Sequence, residues 1–385
     1  MEIRIFDPVT QGRPAFGRVG LTRAAVSCTL TQNLYAPGDF EFTIPCGARY
    51  ADQLQIGRLV LIDKSFWGMV DGLQFETSTQ GQMITVTGRD LKGIVANRIT
   101  VPPQAAAVQG AQGYDAQTGA TETIIKHYVD ANLVTTPLQP ARAVPGLTIA
   151  ADLGRGLAQD RYITRHDPLD AVLEELCRAS GLGYDITPNL EAGVYVFDVV
   201  QGLDRSGEQS DRPRIVFDPA RGSAASQTYT HSRRDARNVF FATLSGAEFA
   251  DEALTMTYLR DGEDEAAGLD RREQHLSISA DTPTAGQEYD ELRRYALIEA
   301  ENYRPAESFS CEILDGRAQY GVDYFLGDIV SVKHADWGVA MTARLVGMTT
   351  SYTEQGVGRT AIFGTPALNV FGRIRRQIRQ KGKLS

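Results

Sequence analysis

The chain carries one stretch twice: the pattern from Ile56 to Arg89 near its start returns from Leu326 to Thr365 near its end. Each instance opens on an apolar residue, a glycine, a charge and an apolar strand. The first reads Ile56-Gly57-Arg58-Leu59-Val60-Leu61-Ile62 and the second Leu326-Gly327-Asp328-Ile329-Val330-Ser331-Val332. Trp67-Gly68 then answers Trp337-Gly338, and these are the only two tryptophans of the chain. A strand pattern with an internal glycine follows, Met69 to Phe75 against Ala343 to Thr349. A polar turn leads to a closing strand that ends in glycine, Ile84 to Gly88 against Thr360 to Gly364. Self-similarity of this kind marks duplicated structural units. Two distant instances do not make a solenoid, so the pattern predicts two related antiparallel β-barrel or sandwich modules in one polypeptide.

At 385 residues the chain has room for two to four domains. Residues 1–100 read as mostly strand. Phe40-Glu41-Phe42-Thr43-Ile44 alternates strictly, with the aromatics inward, after a turn at Pro37-Gly38. Residues 101–212 read as an α+β insertion. Ile124, Ile125, Tyr128 and Val129 mark one helix face there. Leu169, Val172, Leu173 and Leu176 mark a second helix, with Asp167 as its N-cap, Pro168 at its first position and Gly181 at C′. The second module is split into residues 213–245 and 305–370. Between them, residues 246–304 form a strand and helix insertion, with Tyr289, Leu292, Ala296, Ala300 and Tyr303 on one helix face. The fold class expected is mainly β with α+β insertions.

Composition narrows the function. A net charge of -9 argues against broad nucleic-acid binding. Cys28, Cys46, Cys177 and Cys311 are far apart and lack the paired spacing of zinc sites, so buried, reduced thiols are expected. The opening strand pattern Met1-Glu2-Ile3-Arg4-Ile5-Phe6 has no export signal's apolar run, and no eighteen-residue apolar run exists to span a membrane. No two of the five histidines, His127, His166, His231, His275 and His334, stand at i, i+4. HExxH, GxSxG and phosphate-loop motifs are absent, and Gly154-Arg155-Gly156 lacks the third glycine of a dinucleotide fingerprint. Asp261 to Glu265 lacks the ligand alternation of a calcium loop and reads as a solvated hairpin. Catalytic, cofactor and metal residues are therefore expected to be none.

Two basic features point to an interface instead. Arg233, Arg234 and Arg237 precede a strand and form either a ridge on a subunit contact or a solvent-facing loop. Residues 371–385 carry Arg373, Arg375, Arg376, Arg379, Lys381 and Lys383 with no acidic residue. That tail is either an arm that docks on an acidic partner or touches passing nucleic acid, or a solvated end.

The motifs also resemble a known family. Pro37-Gly38-Asp39-Phe40-Glu41-Phe42-Thr43-Ile44-Pro45, Val86-Thr87-Gly88-Arg89-Asp90-Leu91-Lys92-Gly93-Ile94 and Tyr324-Phe325-Leu326-Gly327-Asp328-Ile329-Val330, continued to Ile362-Phe363-Gly364-Thr365-Pro366, resemble the tail hub or baseplate-hub proteins of phages and phage-tail-like particles. Asp235-Ala236-Arg237-Asn238-Val239-Phe240 is a weaker echo. The resemblance implies a non-enzymatic homotrimer with two tail-tube-like barrels per chain. Such a trimer joins a sixfold tube to a threefold tip around a central channel. The partners implied are the tail tube or distal tail protein, a spike or tip protein and a tape measure protein, with DNA passing only if the particle is a phage. The place implied is the tail tip of a virion, a bacteriocin or an injection particle, assembled in the bacterial cytoplasm without membrane embedding. Some members extend into a peptidoglycan hydrolase or receptor-binding region. A chain ending at Ser385 is expected to be the bare hub. The rival readings are a tail-associated peptidoglycan hydrolase and a carbohydrate-binding receptor protein.

Overall fold

The computed structural model describes residues 1–8, 16–79, 81–102, 115–135, 139–245, 254–258, 266–279, 292–293, 296–297, 299–300, 302–314, 316 and 318–366. The chain forms two compact units. The first holds Met1–Gln227 and Ser310–Phe363; the second holds Thr228–Phe309 and the described residues from Gly364 onward.

The first seven strands are β1 (Ile3–Phe6), β2 (Arg18–Thr22), β3 (Ser27–Asn33), β4 (Asp39–Pro45), β5 (Leu59–Ile62), β6 (Phe66–Ser78) and β7 (Gly81–Asp90), followed by the short helix α1 (Gly93–Ala96). Next come β8 (Asp115–Ala120), α2 (Thr121–Leu133), β9 (Leu147–Ile149), β10 (Ala158–Thr164), α3 (Leu169–Ser180), β11 (Gly183–Asn189) and β12 (Val194–Val200). The chain then runs through β13 (Val216–Phe217), β14 (Ala224–Ser232), β15 (Val239–Ser245), β16 (Leu254–Tyr258), β17 (Glu273–Ser279) and β18 (Ala306–Ile313). It closes with β19 (Ile329–His334), β20 (Val339–Thr353) and β21 (Gly356–Thr365). The fold is mainly β, with few helices.

Among the described residues one sheet of 13 strands dominates. Its order is β14-β18-β21-β20-β3-β4-β7-β6-β5-β1-β2, with β19 beside β20 and β13 beside β19. Both repeats therefore belong to one hydrogen-bonded sheet, an arrangement the sequence pattern does not reveal. The alternation in β4 places Phe40, Phe42 and Ile44 in a core with Cys28, Leu30, Ile84 and Val86. Phe40 also explains two glycines: a Cβ on Gly68 or Gly88 would fall within 2.7 Å of its ring.

The insertion builds a second core on the same unit. Ile124, Ile125, Tyr128 and Val129 of α2 and Leu169, Val172, Leu173 and Leu176 of α3 meet Phe6, Leu59 and Leu61. Gly181 ends α3 at φ 69, the left-handed conformation suited to a C′ glycine. Asp167 does not cap that helix. Its Oδ2 accepts from Thr164 Oγ1 (2.7 Å) and the Arg165 N–H (3.2 Å), closing the preceding turn, while the Leu169 N–H donates to Arg98 O (2.9 Å).

In the second unit β15 lies between antiparallel β16 and parallel β17. Leu292, Ala296, Ala300 and Tyr303 are buried at the expected helical spacing, and Tyr303 sits edge-on to Phe240. Tyr289, Asp261 to Glu265 and the basic tail from residue 371 lie outside the described residues.

Candidate functional site

The two repeats correspond residue by residue in backbone bonding. The Gly57 N–H donates to Val70 O (2.8 Å), and the Val70 N–H donates to Arg58 O (2.9 Å). The Gly327 N–H donates to Leu345 O (2.8 Å), and the Leu345 N–H donates to Asp328 O (2.8 Å). Both long strands then bulge at the same place. The register of β6 on β7 shifts between Val70 and Gly72, and that of β20 on β21 between Leu345 and Gly347. A bulge adds one residue to one strand and bends it, so a shared bulge gives both repeats the same bend.

The tryptophans are not equivalent. Trp67 lies in β6 opposite Leu61 and packs on Phe6, with ring centroids 5.0 Å apart. Its counterpart in β20 is Thr342, which lies opposite Ser331. Trp337 sits in the turn before β20, half-exposed, and stacks on His334 at 3.7 Å. The closing glycines are also offset, since Gly88 corresponds in register to Phe363.

A seam joins the repeats. Before its bulge β20 pairs with β19, from Ile329↔Arg344 to His334↔Val339. After the bulge the same edge takes β3, from Gly347↔Asn33 to Tyr352↔Cys28. β6 repeats only the first half of this arrangement. Phe66–Met69 pairs with β5, but Gly72–Ser78 pairs with β7 alone among the described residues. At the other end of the sheet β14 has β18 as its only strand neighbour among the described residues.

The strand period puts one polar face across the seam. Thr349 lies opposite both Thr31 and Thr360, Ser351 opposite Thr29, Glu41 opposite Thr29 and Thr87, and Thr43 opposite Thr85. Asp39 joins this face opposite Arg89, whose Nε donates to Asp71 Oδ2 (2.8 Å). Burial raises the Asp39 carboxyl, Arg89 opposes that, and Asp71 adds to it. Short hydroxyls dominate a surface whose opposite side is aromatic and aliphatic. The sequence shows this face only as the polar half of each alternation, which reads as ordinary solvent exposure until register aligns the rows.

Among the described residues no cluster of three His, Cys, Asp or Glu could hold a metal. His127 Nε2 lies 3.0 Å from Asp115 Oδ2, which ties α2 to β8, and His275 Nε2 lies 2.9 Å from Thr243 Oγ1. Burial pushes the Cys28 and Cys311 thiols up to about 12 and that of Cys177 higher still, so none is a ready nucleophile. Glu122 is buried between Lys126 Nζ (2.7 Å) and Arg155 (2.8 and 2.9 Å). Burial raises its pKa, but Arg155 and Lys126 outweigh that and hold it well below the usual carboxylate range. It locks the start of α2 to the chain after β9.

The predicted arginines fall in two places. Arg233 Nη2 donates to Asp270 Oδ1 (2.7 Å), Arg237 Nη1 donates to Ala236 O (2.8 Å), and Arg234 is exposed. These bonds lie within the second unit. Arg373, Arg375, Arg376 and Arg379 lie outside the described residues.

Solved structures share this fold along nearly the whole chain. A tail protein from Neisseria meningitidis matches at TM-score 0.55 and 12% identity, covering 94% of this chain and 95% of its own. The 43 kDa tail protein of prophage MuSo2 from Shewanella oneidensis also matches at 0.55 and 12%, covering 95% and 99%. Prophage tail protein gp18 from Listeria monocytogenes matches at 0.50 and 12%, covering 100% and 99%. No curated protein sequence matches. The fold is that of these phage tail proteins. The chain belongs to the family described as Siphovirus ReqiPepy6 Gp37-like protein, whose model matches residues 2–365.

Proposed function

We propose that the chain is the hub subunit at the distal end of a tail, a homotrimer around a central channel. In this role it joins the sixfold tube to a threefold tip, with the tail tube or distal tail protein above and a spike protein below. The single observation that carries the reading is the seam: one chain holds two like meanders, set edge to edge in one sheet by β3 and β20. Three such chains offer six like modules. The hydroxyl face of Thr29, Thr31, Thr87, Thr349 and Ser351 suits a channel wall, because it is polar and its carboxylates repel rather than trap a passing polyanion.

Cryo-EM of assembled tails tests this. The expected density places three copies of the chain in one ring, with the Thr-rich face toward the axis. A single copy per tail, or a ring that turns this face outward, overturns the reading.

A further inference from the structure

We propose that the open edge of β6, Gly72–Ser78, pairs antiparallel with β14 of a second copy of this chain. The inference rests on the ring reading above and names its contact.

The argument starts from the intramolecular seam. After the bulge at Gly347, β20 takes β3 along its edge. Under that neighbour Met348 is 1% exposed and Thr350 is 6% exposed. β6 has the same bulge at Gly72, so Leu73 and Phe75 correspond to Met348 and Thr350. Leu73 is only half-buried and Phe75 is 68% exposed. The first repeat thus leaves two apolar side chains open at positions that the second repeat buries, and no strand covers them among the described residues.

The missing neighbour has a counterpart in the chain. β3 has β4 on one edge and β20 on the other. In the second repeat β14 occupies the place of β3, with β18 in the place of β4. The sequences agree: Phe309, Cys311 and Ile313 of β18 are buried in alternation, like Phe40, Phe42 and Ile44 of β4. So β14 has one edge on β18, and its other edge has no strand among the described residues.

Neither edge carries Lys or Pro. Free edge strands are normally blunted by Lys or Pro. Gly72-Leu73-Gln74-Phe75-Glu76-Thr77-Ser78 has neither and a single charge, and Ala224-Ala225-Ser226-Gln227-Thr228-Tyr229-Thr230-His231-Ser232 has no Lys, Arg, Asp, Glu or Pro. The open span Gly72–Thr77 also matches Cys28–Asn33, the length of β3 used in the internal seam. The two edges lie on different patches of one chain, so their pairing is head-to-tail and closes a ring when the rotation closes.

Cysteine cross-linking in assembled tails tests the contact, in the full chain with Cys46→Ser. One set of chains carries Glu76→Cys. The other carries Thr228→Cys, Tyr229→Cys or Thr230→Cys, and the sets are co-assembled under mild oxidation. The expected result is a species of two joined chains from at least one mixture, absent from either set alone and lost when the second set also carries Gln227→Pro. Tails with several copies of the chain but no joined species from any mixture overturn this inference and leave the ring reading standing. A single copy per tail overturns both. If a variant does not assemble, amide exchange of unmodified tails decides: protection of Leu73 to Phe75 relative to the free chain supports the contact, and equal exchange overturns it.

Discussion

Gly57 and Gly327 hold the same position in two repeats far apart in the chain. Both have a positive φ, 86° and 94°, and both donate to the carbonyl at the start of a bulge, Val70 and Leu345. Each turn delivers its chain to the first paired strand at the same residue.

That equivalence predicts unequal costs for one substitution. Gly57→Ala meets open space, so it should cost only the left-handed backbone penalty, about 1–2 kcal/mol. Gly327→Ala should cost more, because its Cβ would lie 3.3 Å from the Gly202 nitrogen. Gly202→Ala should be the worst, since that Cβ would stand 1.9 Å from the Gly327 carbonyl. Urea denaturation of the full chain gives the order, and equal midpoints would count against it.

Glu122→Ala should destabilise the first unit by ~3–5 kcal/mol, the range for breaking a buried ion pair. It removes the bonds from Arg155 and Lys126 and leaves both cations short of an acceptor. Because the folded carboxyl titrates below its ordinary 4.5, its stabilisation is complete above that value and is lost as pH falls further. Denaturation series across pH should show the full difference between wild type and variant at neutral pH and a difference that narrows as pH falls below 4.5.

Asp90 should act in the opposite sense. Its Oδ2 accepts the Gly38 N–H (2.9 Å), and its Oδ1 accepts the Lys92 N–H (3.1 Å). Burial raises it from 3.8 to about 6 against the pull of Lys92. The folded chain therefore binds this proton more tightly than the unfolded chain between those values. Its contribution is full below pH 3.8 and is lost as pH rises through about 6. Asp90→Asn should flatten the stability profile between those values, as read by thermal melts across pH.

The basic tail gives a prediction about assembly rather than folding. Deleting residues 371–385 should leave the melting of the chain unchanged while tail assembly falls and grows more sensitive to salt, because exposed charges are screened over about 8 Å at physiological ionic strength. Assembly counts across a salt series check it; full assembly at every salt would make the tail a solvated end. Arg233→Ala, which removes only an exposed pair with Asp270, should leave melting unchanged as well.

The sequence carried the repeat because its signal is local: an apolar residue, a glycine that must take a positive φ, and a charge before a strand. Even the swapped charges make sense in space. Arg58 faces Asp7 at 3.4 Å, and Asp328 meets Arg205 at 2.9 Å. The tryptophan match misled because identity was read without register, and the β19–β20 turn is longer than the β5–β6 turn. The helix stripes of α2 and α3 were legible through their period. Asp167 was misread because its carboxylate had nearer donors in Thr164 and Arg165 than in the helix. The seam between β3 and β20 could not be read, since it joins residues some three hundred positions apart and leaves no mark on either strand but alternation. The hydroxyl face follows from that register and was hidden with it.

The seam also bears on how a closed ring could assemble from this chain. A contact between separate molecules must overcome the loss of their independent translation and rotation, and it weakens on dilution. The joint between Gly347–Tyr352 and Cys28–Asn33 is made within one polypeptide as it folds. It forms at any concentration, and in the ring proposed above each docking chain would bring one junction already closed for each one it makes.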